Sequence, residues 1–279
     1  QEFSMKGLFR PIQRCVGKYV LLGKEFVAID VEEVCVSTNT LPFEDYLEAR
    51  RLYFTVGLFY NDRIFGEINA LLRLLKLPTA DWVMHIHRDI AGAPEKIRNL
   101  YEGFIRDTKA ELWDNVEDLK RDVGAKVDEF SEGEAGGNLI YRYRSLSIVD
   151  CYKELQLVAF RHLREFLAEK GVECEEMVRN IEKFWMCQKG DLFNLNFQTD
   201  EIFSYDVLRM MRDVPWARSG GSLEEIHYPV RMRFYHTETQ KDSVKERMEF
   251  FGKDIGGLTM LLSRFPVKRF YRKVEKIPQ

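Results

Sequence analysis

The chain has 279 residues, 45% hydrophobic and 31% charged, with 42 basic against 45 acidic side chains for a net charge of -3. That length suffices for one large or two smaller domains with a substantial core, and the composition excludes a disordered or fibrous chain. The near-neutral balance supplies no global field toward nucleic acid or an anionic membrane, no apolar run approaches the roughly 20 residues of a bilayer span, and no signal-peptide pattern opens the chain, so a cytoplasmic protein is expected.

Residues 1–37 read as extended. Segments 18–22 and 26–36 are rich in β-forming side chains, with Gly23-Lys24 where a hairpin turns. Val27, Ile29 and Val31 alternate and then give way to Val34 and Val36, a parity change that predicts a bulge or break at Glu32-Glu33. Asn39 and Thr40 offer capping oxygens, Pro42 suits a first helical turn, and Glu44 and Asp45 favour the positive end of a helix dipole. A helix is expected to start here. Its apolar residues become almost continuous after Leu52, which predicts a second half buried on most sides, with a break at Asn61-Asp62. A further stripe over 64–77 ends before Pro78.

Thr79 is expected to cap a helix reaching about residue 90, and another follows at about 95–106. Leu112, Trp113, Val116 and Leu119 predict one helical face over 108–122, and the glycine cluster of 124–137 predicts a loop. Residues 138–170 form the longest periodic segment, stopped by Gly171. Helices are expected at 174–188 and at about 199–212, then a loop containing Ser219-Gly220-Gly221-Ser222. Residues 228–236 alternate as a half-buried strand, 240–263 is helical with an interruption at Gly256-Gly257, and 267–274 forms a last strand. The expected fold class is α+β, predominantly α-helical, with a β-hairpin near the N-terminus and a short β element near the C-terminus. Its parts are a β-rich connecting segment (1–37), a helical part (38–130) and a second helical part with the terminal β element (131–279).

Local patterns for catalysis are missing: no G-x-S-x-G, H-E-x-x-H or D-x-H-x-x-G occurs. The five cysteines contain no C-x2-C or C-x3-C-x2-C spacing, which argues against a locally built zinc or iron-sulfur site. His85 and His87 diverge by about 200° on a helix, and spacing places no third ligand, so no metal site is expected. His162 reads as a core-edge or surface histidine. The segment 131–138 offers backbone amides to an anion, but Glu132 and Glu134 repel phosphate, and a structural loop in which Asn138 or a nearby residue caps the long helix is favoured. Arg231 and Arg233 interleave with Phe234 and Tyr235 in a way that suits RNA, yet arginines alternating with core aromatics are ordinary on a half-buried strand.

The run over residues 31–65 contains Glu32-Glu33-Val34-Cys35-Val36-Ser37-Thr38, then Asn39-Thr40-Leu41-Pro42-Phe43-Glu44-Asp45-Tyr46, Glu48-Ala49-Arg50-Arg51 and Leu58-Phe59-Tyr60-Asn61. It resembles the region just after the catalytic barrel in radical S-adenosylmethionine (SAM) proteins that also carry an N-terminal B12-binding domain. Ser131-Glu132-Gly133-Glu134 through Asn138-Leu139 is similar to the S-G-E-x-G-x-N-L loop of that family. The family's C-x3-C-x2-C triplet and a barrel-length β/α alternation are absent.

This resemblance implies an accessory, non-catalytic C-terminal region that packs on the radical SAM barrel and B12-binding domain of its parent and shapes substrate access. Arg50, Arg51, Tyr60, Asn61, Glu134 and Asn138 are then the candidate interdomain or substrate-entrance contacts. The parent would use [4Fe-4S], S-adenosylmethionine and cobalamin, with no cofactor in this chain. The alternative is a self-contained helical module engaging a protein or nucleic-acid partner; the acidic balance disfavours nucleic acid, and no membrane partner is expected.

Overall fold

A long antiparallel ribbon opens the chain in the computed structural model, which describes residues 3–132 and 138–278, except for the side chains of Gln13, Arg14, Asp62, Ser131 and Glu132. Strands β1 (Lys6–Leu21) and β2 (Lys24–Ser37) pair around a two-residue turn, with Leu21 opposite Lys24. Leu22 and Gly23 adopt φ of 52° and 73°, the left-handed pair whose twist matches that of the flanking strands. Glycine accepts this conformation freely, whereas a leucine does not. Leu22 is 95% exposed, so its side chain gives little packing in return. Leu22→Asn is therefore expected to stabilise the chain by about 0.5–1 kcal/mol, read as a higher urea midpoint.

The parity change in β2 arises on its partner strand. β2 is continuous through Glu32-Glu33, and the register slips in β1 between Pro11 and Val16; a second slip, where Lys6 and Gly7 face Ser37 and Cys35, leaves Val36 of β2 as the extra residue. Proline brings no amide to a ladder, so an irregularity beside it sacrifices little bonding.

Ahead of α1 (Phe43–Phe59) the hydroxyl of Thr38 accepts the amides of Thr40 and Leu41 at 3.2 and 3.0 Å. That oxygen, rather than the expected Asn39 or Thr40, organises the turn before the helix. The second half of α1 is buried on most sides, as its sequence predicts, with Phe54, Leu58 and Phe59 inaccessible. The expected break follows as a 3-10 turn, Asn61–Arg63. Helix α2 (Gly66–Leu74) ends with Lys76 at φ 57° and the Leu77 amide donating to the Leu72 carbonyl at 2.8 Å, a left-handed C-terminal cap.

Helix α3 (Thr79–Arg88) has Pro78 at its cap position, so Thr79 is its first helical residue instead of its cap. Helices α4 (Glu95–Ala110) and α5 (Val116–Gly124) follow. Trp113 lies in neither: it exchanges two 2.8 Å backbone hydrogen bonds with Phe9, which divides the helical face expected over 108–122. Helix α6 (Val127–Glu132) occupies part of the expected 124–137 loop. Val127 and Phe130 pack with Val16, Leu119 and Val123, and this apolar burial overrides the local glycine signal. Gly133, Gly136 and Gly137 lie outside the described residues.

The long periodic segment is two helices, α7 (Leu139–Asp150) and α8 (Tyr152–Glu169), interrupted at Cys151 with φ -120° and ψ 17°. Gly171 ends α8 as expected, at φ 66°. After α9 (Glu175–Lys189), the expected helix over 199–212 is replaced by strand β3 (Thr199–Tyr205) and a short α10 (Val207–Arg212). Phe203 pairs opposite Val230 of the next strand, a non-local partner that a helix would forfeit. A short α11 (Val214–Arg218) precedes β4 (His227–Tyr235), which buries Val230, Met232 and Phe234 as expected. Helices α12 (Glu238–Phe251) and α13 (Ile255–Arg264) part at Gly252, φ 93°, whereas Gly256 and Gly257 lie inside the first turn of α13. A 3-10 turn, Val267–Phe270, takes the start of the expected last strand and leaves β5 (Lys273–Lys276). The second sheet is antiparallel throughout, in the order β3-β4-β5.

The fold is thus α+β and predominantly helical. Contacts divide it into two units, residues 1–54 with 99–144 and residues 55–98 with 145–279. In the first, α5 and α6 cover the ribbon, and Phe54 stacks on Phe104 with ring centroids 4.5 Å apart. In the second, Phe65 lies among Phe59, Trp82, Phe160 and Trp185, while Phe184 of α9 packs on Phe203 and Phe234 of the sheet. Each such buried aromatic contributes about 1.5–3 kcal/mol. Among the described residues no helix is long and apolar enough to cross a membrane.

Candidate functional site

In the first unit Arg50 is tied down internally. Its guanidinium lies 3.5 Å from Glu111 and 5.6 Å from the centre of the Phe104 ring. Glu111 also meets Arg10 at 3.5 Å, and Arg10 bonds Glu32 at 2.6 Å. Burial pushes the Glu111 carboxyl up despite Arg50 and Arg10, which draw it down. Arg51 is more exposed and pairs with Glu48 at 3.0 Å one helical turn away. Asn138 caps α7, its side-chain oxygen accepting the amides of Ile140 and Tyr141 at 2.9 and 3.4 Å, as expected. Glu134 lies outside the described residues. In the second unit, Tyr60 and Asn61 are adjacent and exposed at the end of α1.

Two of the cysteines are poor nucleophiles. Burial, reinforced by Asp150, pushes the Cys151 thiol up to about 12, and burial pushes Cys187 up to about 11. Both stay protonated at neutral pH, and a thiol is a much weaker nucleophile and ligand than a thiolate. The strand arginines are neutralised locally. Asp200 accepts from Arg233 at 2.8 Å and from Arg231 at 3.3 Å at the edge of an open depression of about 630 Å³ that Tyr235 and Glu275 also line.

Among the described residues, one group of histidines and carboxylates close enough to share an ion lies between α3 and α8. His87 turns away from His85, as helical geometry requires, and its Nδ1 lies 3.0 Å from the Thr55 hydroxyl. His85 instead meets His162, their Nδ1 atoms 2.9 Å apart. Glu165, three residues along α8 and therefore on the same face, brings a carboxylate oxygen 3.1 Å from that Nδ1 of His162. The outer nitrogens are also occupied. His85 Nε2 is 3.1 Å from Glu169, and His162 Nε2 lies 2.8 Å from Arg161 and 3.5 Å from Asp89.

Burial, with Arg161 and His85 adding to it, pushes His162 down to about 4 against the opposing pull of Asp89. The imidazole is neutral at physiological pH. One consistent tautomer set satisfies the group: Arg161 donates to His162 Nε2, His162 Nδ1 donates to His85 Nδ1, and His85 Nε2 donates to Glu169. The sequence separates His85 and His87 correctly but does not pair His85 with His162. Its one local signal is the His162-x-x-Glu165 spacing on α8, and the partner stands 77 positions away.

A second polar group is structural. Lys189, almost fully buried, donates to Glu67 at 2.7 Å and to the carbonyls of Ile64 and Arg63 at 2.9 and 3.2 Å. Burial draws the Lys189 ammonium down, against the pull of Glu67. Arg272 donates to the carbonyls of Cys187, Gly190, Asp191 and Asn194, at 3.1, 2.7, 2.9 and 3.4 Å, and so closes the end of α9. Neither group faces solvent. No protein-family model matches the chain, and no curated protein sequence matches it.

Proposed function

We propose that this chain acts as the accessory region that follows the catalytic barrel of a cobalamin-linked radical SAM enzyme, packing on that barrel and shaping access to its substrate. The observation that carries the reading is the apolar end of the hairpin. Tyr19, Val20, Leu21, Leu22, Phe26 and Val27 are 49–95% exposed there. The ladder places Tyr19, Leu21 and Phe26 on one face of the ribbon and Val20 and Val27 on the other, and exposed apolar side chains gathered at one end of a ribbon favour burial against another surface. The patch lies on the ribbon whose second strand carries the Glu32-Glu33-Val34 motif and leads into the motif-bearing helix α1, so the surface and the family resemblance share one stretch of chain. In the parent, the [4Fe-4S] cluster would be held by a cysteine triplet that this chain does not supply.

The test is to express the complete reading frame that encodes the chain, reconstitute it anaerobically with iron and sulfide, and follow cluster absorbance and S-adenosylmethionine cleavage. The 279-residue chain alone is expected to take up no cluster. Val20→Asp with Leu22→Asp in the complete protein is expected to preserve cluster content and lower turnover. A reading frame that starts at Met5 with no cysteine triplet before it overturns the reading, as does a stoichiometric cluster on this chain alone.

A further inference from the structure

The geometry points to a binding site for one divalent transition-metal ion of the zinc class, held by His85 Nδ1, His162 Nδ1 and the Glu165 carboxylate between α3 and α8. The three ligand atoms all lie within 4.8 Å of one another. Two ligands on a tetrahedral ion at metal–ligand distances of about 2.0–2.1 Å stand roughly 3.3 Å apart. The observed separations of 2.9 Å between the imidazoles and 3.1 Å from His162 to Glu165 need a few tenths of an ångström of expansion, while the third pair, His85 and Glu165, lies within 4.8 Å and closes on the ion by a turn of the exposed Glu165 side chain.

The surroundings favour this reading over a simple hydrogen-bonded histidine pair. Metal-bound imidazoles commonly donate their second N–H to a carboxylate, which fixes the tautomer and aims the ligand lone pair. Both rings have such a carboxylate behind them, Glu169 at 3.1 Å from His85 Nε2 and Asp89 at 3.5 Å from His162 Nε2. Three carboxylates face one guanidinium, that of Arg161, so the local charge suits a dication. Two imidazoles and one carboxylate select zinc, cobalt or nickel over calcium or magnesium, which require oxygen ligands. His162 is 1% exposed while the side chain of Glu165 is 46% exposed, so an ion has a rigid inner wall and an open side from which to enter.

The protons balance. Without metal, His162 carries its proton on Nδ1, between the two rings. With metal, that proton moves to Nε2, whose N–H then donates a hydrogen bond to Asp89, and Arg161 swings toward Asp89 and Glu165, its existing partners at 2.7 and 3.8 Å. His85 keeps its proton on Nε2. In this tautomer set neither ring gives up a proton to solvent when the ion binds.

The experiment is a titration of Zn²⁺ alone into the chelator-stripped, tag-free 279-residue chain, followed by calorimetry and by metal analysis after dialysis. One equivalent is expected to bind and to raise the melting temperature. Glu165→Gln, on an exposed side chain that should leave folding intact, is expected to weaken binding at least about tenfold, and Glu169→Gln about tenfold. His85→Gln is expected to weaken it further, with circular dichroism confirming its fold. The exposed His227 serves as a control, and His227→Asn is expected to bind as the unmodified chain does. Co²⁺ bound to the unmodified chain should show a tetrahedral visible spectrum that Glu165→Gln alters. Absence of saturable one-equivalent binding overturns the inference, as does binding that Glu165→Gln and His85→Gln leave unchanged.

Discussion

Lys189→Met is expected to destabilise the protein by about 3–5 kcal/mol, the range for removing one partner from a buried ion pair. The size follows from what stays behind. Glu67 is inaccessible, and its Oε2 loses the ammonium at 2.7 Å. The Arg63 carbonyl loses a donor as well, while Ile64 keeps the Trp185 indole N–H at 2.8 Å. Adding Glu67→Met to Lys189→Met is expected to recover part of the loss, because no buried charge is then left unpaired and a side chain of comparable volume fills the space. Urea unfolding of the two single variants and the double variant measures this. Single-variant losses below about 1 kcal/mol, the scale of a surface pair, would show that the pair is not the interior tie described above.

Arg272→Ala should be comparably damaging, at about 3–5 kcal/mol, through backbone carbonyls instead of a carboxylate. One guanidinium serves four carbonyls between Cys187 and Asn194 and lies 4.3 Å from the centre of the Phe197 ring. Its planar fork reaches several acceptors at once, which an ammonium cannot do. Arg272→Lys is therefore expected to restore less than half of the loss. Denaturant unfolding gives the magnitudes, and hydrogen exchange should show loosening centred on residues 187–197. Full rescue by lysine would indicate that the positive charge matters and the fork does not.

Both ties join positions at least 78 residues apart, which explains why neither was legible in the sequence. What could be read was local. The hairpin turn at Gly23, the break after Tyr60, the stop at Gly171 and the alternation of Val230, Met232 and Phe234 each depend on neighbours within a few positions. The failures have one physical cause. Residues 199–205 took strand geometry because β4 lies beside them, Trp113 because Phe9 does, and α6 because Val16 and its neighbours needed cover. The candidate metal site divides in the same way: His162 and Glu165 were one turn apart on a legible helix, while His85 was assigned only its divergence from His87. The motif residues were a different case. Their chemistry was unremarkable in sequence, and the structure shows ordinary ion pairs and caps at Arg50, Arg51 and Asn138.

The ribbon has one more consequence. A two-stranded sheet has no interior strand, so β1 and β2 both present an outer row of backbone donors and acceptors, and among the described residues only Phe9 is matched beyond its hairpin partner, by Trp113. Such rows are templates for adding a foreign strand. Pro11 and the slipped register beside it spoil the template in the proximal half. The distal half, residues 16–29, contains no proline and keeps a regular ladder. At high protein concentration, self-association should therefore begin there, by edge-to-edge pairing of ribbons, and a proline or an added charge on that edge is the substitution to use against it.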